Sequence, residues 1–125
     1  MNVKVAHVMT KHVILTDPNH SVQEVRELLA RHHINAVPVV GKNRSVHGIV
    51  TTTDLARRWK DETPVSRAMS PMVKTIKVDA DVREAAHIMR THRIHHLVVT
   101  DKNQVIGMLS SFDLLRLVEE YELNR

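Results

Sequence analysis

The sequence predicts a mixed α/β fold of the α+β kind, two β-α-β-β-α repeats packed about a pseudo-twofold axis. Three observations lead there. A shift of 60 residues lays Val5 on Val65, Met9 on Met69, Val22 on Val82, Glu24 on Glu84, Ile34 on Ile94 and Val39 on Val99. After one deletion a shift of 59 lays Gly48 on Gly107 and Asp54 on Asp113, so the chain is a tandem duplication. Short β-branched runs alternate with stretches of helical spacing, in the same order in both copies. Each copy, 5–62 and 63–123, has the size at which a domain buries only about 60% of its unfolded surface, so the two are expected to pack together.

In the first copy, VILT (13–16) reads as a strand and Asp17-Pro18-Asn19 as a turn. Ser21 with Glu24 is a capping-box pattern, and Val22, Val25, Leu28, Leu29 and His32 continue at helical spacing. AVPVV (36–40) is a second strand, GKNRS (41–45) a turn, VHGIVT (46–51) a third strand and TDLARRWK (53–60) a helix. The second copy repeats this order, with strand MVKTIKV (72–78) and a helix opened by Asp81 and Glu84. Strands HLVVT (96–100) and QVIGMLS (104–110) flank the turn Asp101-Lys102-Asn103, and FDLLRLVEEYEL (112–123) is a helix. A short helix is expected around Met9-Thr10 and again around Met69-Ser70. The first two strands of each copy should run parallel through a right-handed crossover.

Of the 125 residues, 42% are apolar and 26% charged, enough apolar surface to exclude a disordered chain. No apolar run approaches the roughly 20 residues of a membrane-spanning helix. The opening MNVKVAHVMTKH has no apolar signal core, so the expected location is cytoplasmic. The lack of cysteine excludes disulfides, thiolate nucleophiles and Cys-ligated zinc. The net charge of +4 is dispersed, +3 over 1–62 and +1 over 63–125, which suits an anionic ligand without demanding one. One Trp, one Tyr and one Phe are too few for a platform that stacks single-stranded nucleic acid.

Several motifs together point to a family. They are Val-Met-Thr (8–10), Ala-Met-Ser (68–70), INAVPVV (34–40) against IHHLVVT (94–100), and above all GIVTTTD (48–54) and GMLSSFD (107–113). Each heptapeptide fits the pattern Gly, two apolar residues, Thr or Ser, two further residues, then Asp. On these residues the chain resembles a tandem pair of CBS domains, the Bateman module, over essentially all of 5–120. The resemblance implies a stand-alone regulatory module with no catalytic residue, metal or resident cofactor. It implies an adenosine ligand (AMP, ADP, ATP or S-adenosylmethionine) held in the cleft between repeats, a homodimer, and a separate protein partner that reads a conformational change.

A strand-to-helix junction presents backbone N–H groups and a helix dipole to an anion. A Thr or Ser hydroxyl there can donate to a phosphate, and an Asp three residues on can accept from a ribose diol. By the resemblance, Thr51 and Ser110 take the phosphate role and Asp54 and Asp113 the ribose role. The competing reading is local, because Thr, Ser and Asp at these positions cap a helix without any ligand. Gly48 and Gly107 permit either close backbone approach or ligand access.

In the family the adenine slot lies between the first two strands. That implies Val13, Ile14, Thr16, Asn35, Ala36 and Val37 in one copy and Val73, Thr75, Ile76 and Leu97 in the other. Their apolar side chains read as core, leaving backbone groups to meet the base. His95 and His96 stand where phosphate-binding relatives carry His or Arg, and the first copy has Asn35 and Ala36 there. By likeness to kinase gamma subunits, His95 and His96 are expected to share a site with Thr51 and Asp54, with Ser110 and Asp113 facing Asn35 and Ala36.

His92 with His96, or His32 with His33, carries no metal-binding signature. Arg57, Arg58 and Lys60 read as a solvated helix end. Leu55, Ala56 and Trp59 match Leu114, Leu115 and Val118, and Leu117 and Tyr121 extend the second set. That is more apolar surface than one stripe needs, so either a second chain or the monomer's own core covers it. The alternative function is a protein- or nucleic-acid-interaction module with vestigial ligand sites. Mixed charge and the lack of a groove-reading motif argue against its nucleic-acid form.

Overall fold

The structure is a computed structural model, described here for residues 2–120. It divides into two compact units that do not coincide with the sequence repeats. One unit contains Val13–Val73 with Asn103–Val105, and the other contains residues 2–12, Lys74–Lys102 and residues 106–120. The segment that leads into each repeat is therefore built into the unit of the other.

In the first unit, Ser21 and Glu24 form the expected reciprocal capping box, and helix α1 runs Val22–His32. His33 ends it in the left-handed region at φ 54°. Strands β1 (Ala36–Val40) and β2 (Val46–Thr51) pair antiparallel, with Ala36 opposite Thr51 and a register shift at Val39/Val40. The turn between them holds Asn43 and Arg44 at φ 58°. Val22, Val25 and Leu29 of α1 close on Val37, Val39 and Val50 of the sheet, joined by Leu55, Val65 and Ala68.

The second unit carries β3 (Thr75–Lys77), α3 (Val82–His92), β4 (His96–Asp101), β5 (Gln104–Ser110) and α4 (Ser111–Glu120). The sheet order is β3-β4-β5, with β3 parallel to β4 and Thr75 opposite Val98. Lys102 and Asn103, at φ 52° and 66°, make the two-residue hairpin between β4 and β5. Val5, Ile76, Ala85, Met89, Leu97, Val99 and Leu109 form the core. The Val5 N–H donates to the Ala80 carbonyl at 2.8 Å, which fixes the opening segment here.

Four sequence expectations are corrected. VILT (13–16) is not a strand, because only Thr16 pairs, bridging parallel to Val39. In the second unit the Val78 N–H donates to Thr100, whereas the equivalent first-copy residue is Pro18, which has no N–H to extend a ladder. MVKTIKV (72–78) likewise forms a strand only over Thr75–Lys77, with single hydrogen bonds from Val98 to Lys74 and from Val78 to Thr100 at its ends.

The short helices expected at Met9-Thr10 and Met69-Ser70 lie earlier, as 3₁₀ turns at Val5–His7 and Val65–Arg67. Thr10 and Ser70 instead bridge to Met108 and Ile49.

The helix expected over 53–60 is only Thr52–Leu55, named α2. The Leu55 carbonyl, which would accept from the Trp59 N–H in a longer helix, accepts from the Arg26 guanidinium at 2.9 Å. The Trp59 indole N–H donates to the Asp54 carbonyl at 2.9 Å, drawing its ring onto the core. The counterpart of Arg26 is Ala86, and α4 continues to Glu120. Tyr121 lies outside the described residues.

Candidate functional site

The two heptapeptides build the same junction. Gly48 and Gly107 act structurally. A Cβ on Gly48 would stand 2.6 Å from the Ser70 carbonyl oxygen, and one on Gly107 would stand 2.8 Å from that of Thr10. Those carbonyls accept from Ile49 at 3.0 Å and from Met108 at 3.2 Å, so each glycine lets the Met-Ser or Met-Thr segment lie against its strand.

At the end of β2, Thr51 and Asp54 bond reciprocally. The Thr51 N–H donates to Asp54 Oδ2 at 2.9 Å, and the Asp54 N–H donates to Thr51 Oγ1 at 3.2 Å. At the end of β5 the Ser110 N–H donates to Asp113 Oδ2 at 2.8 Å, and the Asp113 N–H donates to Ser110 Oγ at 3.2 Å. The Thr52 and Ser111 N–H groups donate to the carbonyls of Asn35 and His95, both at 2.9 Å. The expected reserve of open backbone donors is therefore mostly spent within the junction, a correction to the anion-site reading. The hydroxyls act only as acceptors in these bonds, so each keeps its own hydrogen to donate.

The two carboxylates differ in their second oxygen. Asp54 is half-buried, and Oδ1 has no hydrogen-bond or ion-pair partner among the described residues. Asp113 is buried, and its Oδ1 lies 3.3 Å from Arg116 Nη1. Arg116 is a residue that sequence reasoning missed as part of the site. Its acid–base spacing at i, i+3 on a helix was the available signal. The first-copy counterpart, Arg57, lies over the Trp59 ring, 6.0 Å from its centroid.

Two imidazoles lie near the second-copy junction. His96 is half-buried, and desolvation, then the neighbouring His95, lower its pKa, while the Asp113 charge raises it. His95 is exposed, and its Nδ1 lies 3.4 Å from Ser111 Oγ. The expectation that joins these imidazoles to Thr51 and Asp54 spans different units. Within their own unit, His95 stands beside Ser111.

The adenine candidates fall into groups. Thr16, Ala36, Val37, Ile76 and Leu97 are buried, Val13, Ile14 and Val73 half-buried, and Asn35 and Thr75 exposed. Val37 belongs to one core and Ile76 and Leu97 to the other, in keeping with backbone rather than side-chain recognition.

Each unit also has an open hollow between its helices. One, of about 420 Å³ between α1 and α2, is edged by Asn35 and Thr52. The other, of about 560 Å³ between α3 and α4, is edged by His95 and Ser111. Neither Asp54 nor Asp113 lines these hollows.

Among the described residues no three His, Asp or Glu side chains gather as metal ligands. No helix among them is long and apolar enough to cross a membrane. Leu55 is buried and Trp59 and Leu114 pack on the cores, while Phe112, Leu115 and Val118 of α4 are 74%, 61% and 64% exposed.

Comparison with known proteins agrees with this construction. The chain is similar to the CBS domain-containing protein YhcV of Bacillus subtilis (strain 168), with 30% identity over 115 residues, 88% of this chain and 81% of that protein. It is 38% identical over 109 residues to a homoserine O-acetyltransferase of Methanocorpusculum labreanum, covering 86% of this chain but 22% of the enzyme. The solved CBS domain pair of protein MJ0100, in complex with 5′-methylthioadenosine and S-adenosyl-L-methionine, matches with TM-score 0.88 and 27% identity over 95% of this chain and 98% of that one. The CBS domain profile matches residues 5–61 and 65–120, and the chain belongs to the CBS domain family as a tandem pair of such domains.

Proposed function

We propose that this CBS pair is a regulatory module that binds an adenosine compound through its two strand-to-helix junctions. The observation that carries the reading is the repeated junction itself. In both copies a family Asp is held by a reciprocal bond to the strand end, next to a hydroxyl with a hydrogen to spare. Asp54 and Asp113 would accept from the ribose diol, Thr51 and Ser110 would donate to the 5′ substituent, and His95 and His96 would meet a phosphate. The backbone of 13–16, 35–37, 73–76 and 95–97 would edge the base. The complex of MJ0100 with two adenosine derivatives supports the ligand class.

Ligand that prefers one conformation of the module shifts its population, and a protein partner reads the change. The exposed Phe112, Leu115 and Val118 support a homodimer formed through α4. A cytoplasmic setting suits such a sensor.

A thermal-shift panel of AMP, ADP, ATP, 5′-methylthioadenosine and S-adenosylmethionine tests the reading. A ligand at 100 times its Kd adds about 2.7 kcal/mol of stability and raises Tm accordingly. Silence from every compound at millimolar concentration would overturn it. Sedimentation at micromolar concentration tests the dimer, with Leu115→Asp expected to give the monomer.

A further inference from the structure

We propose that the chain pairs with a second copy through its second repeat alone, α4 against α4 in antiparallel register about a twofold axis at Leu115. This rests on the homodimer read above from the exposed residues of α4. It adds the register, the charge pairing and the unequal part of the two repeats.

The register follows from one face of α4. Phe112, Leu115 and Val118 recur every three residues along this ten-residue helix, and all three are exposed. Ser111 and Glu119 share that face, since residues four and seven apart on a helix lie one above another. The set is symmetric about Leu115. A second α4 laid antiparallel sets Leu115 on Leu115, Phe112 on Val118 and Ser111 on Glu119. One patch thus complements itself, as a twofold contact requires.

Charge selects the same register. The hollow between α3 and α4 is lined by apolar Met89, Ile94, Leu114 and Leu115, and also by Arg90 and Arg93 together with Ser111. Antiparallel pairing therefore brings Glu119 of the second copy to the hollow where two guanidiniums stand. Arg90, Arg93 and Glu119 are exposed, and none of them has an ion-pair partner among the described residues. A parallel register would instead set Glu119 against Glu119, like charge on like charge.

The first repeat offers no such patch. The residues corresponding to Phe112, Leu115, Val118 and Glu119 are Thr53, Ala56, Trp59 and Lys60. Those corresponding to Arg90 and Arg93 are Ala30 and His33, which line the equivalent hollow between α1 and α2. The helix α2 ends at Leu55, and Trp59 packs on its own core. Both repeats have the hollow, but only the second has a helix shaped and charged to meet its own copy.

Sedimentation velocity of the full chain at micromolar concentration tests this with two charge variants, Arg90→Glu/Arg93→Asp and Glu119→Lys. Aspartate suits position 93, which stands at φ 54° in the left-handed region. In a symmetric pair each variant sets like charges together twice, so its dimer affinity should fall about tenfold or more. An equimolar mixture of the two variants restores opposite charges at both ends and should associate within about threefold of wild-type affinity. Recovery in the mixture also shows that each variant is folded. Ala30→Glu and Ala56→Asp, at the corresponding first-repeat positions, should leave the dimer unchanged.

Charge variants that dimerise like wild type, a mixture that stays monomeric, or first-repeat variants that dissociate the dimer would each overturn this pairing while leaving a homodimer in place. A wild-type chain that sediments as a monomer would overturn the homodimer as well.

Discussion

Replacing Asp113 by Ala and, separately, by Asn divides its structural role from its charge. Alanine removes the acceptor of the Ser110 N–H, now bonded at 2.8 Å, and leaves that donor at a part-buried position. Loss of this bond, with its part-buried donor left without a partner, costs about 1–2 kcal/mol. Arg116 also loses its partner, but its side chain is 52% exposed, so this adds at most about 0.5 kcal/mol.

Asp113→Ala is therefore expected to lower stability by about 2 kcal/mol, or Tm by roughly 6–10 °C for a chain of this length. Asparagine retains one acceptor and should cost about 0.5 kcal/mol. Asp54→Ala falls between them, at about 1 kcal/mol, because Asp54 is half-buried and has no cationic partner to strand. Urea unfolding followed by far-UV circular dichroism reads all three. Wild-type stability in Asp113→Ala, or equal losses for the Ala and Asn variants, would refute the reciprocal cap as a stabilising device.

Two further expectations follow from the same geometry. Gly48→Ala and Gly107→Ala should each destabilise by about 1–3 kcal/mol, because the new methyl meets a backbone carbonyl that is itself held in a bridge; urea midpoints unchanged from wild type would contradict the close-approach role. His96 has a folded pKa below its ordinary 6.5, so it contributes stability fully above that value and loses it as pH falls through 6.5, when the unfolded chain takes up a proton more readily. The His96→Gln variant should flatten this fall in a Tm-against-pH series from 7.5 to 5.5, and an unaltered slope would count against it.

Local signals carried most of the secondary structure. AVPVV, VHGIVT and QVIGMLS became β1, β2 and β5 with their expected bounds, since each is a β-branched run ended by turn residues or a helix cap. Ser21 and Glu24 marked the start of α1 for the same reason. What escaped was set by distant partners. The end of α2 depends on Arg26, 29 residues away from the carbonyl it holds. The pairing of Thr10 and Ser70 depends on strands far along the chain. In the site, the Thr/Ser–Asp spacing was legible as both anchor and cap, and the cap is what the geometry displays. Arg116 escaped because its role depends on α4 continuing where α2 stops.

The most direct measurement of the proposed function is calorimetric titration of the wild type and the Asp54→Asn/Asp113→Asn variant with AMP and with 5′-methylthioadenosine. The expected result is saturable binding to the wild type and loss of about tenfold or more in affinity for both compounds in the variant, which keeps a cooperative melt within a few degrees of wild type. Undiminished binding by the variant would show that the junction carboxylates hold no ligand and serve the fold alone.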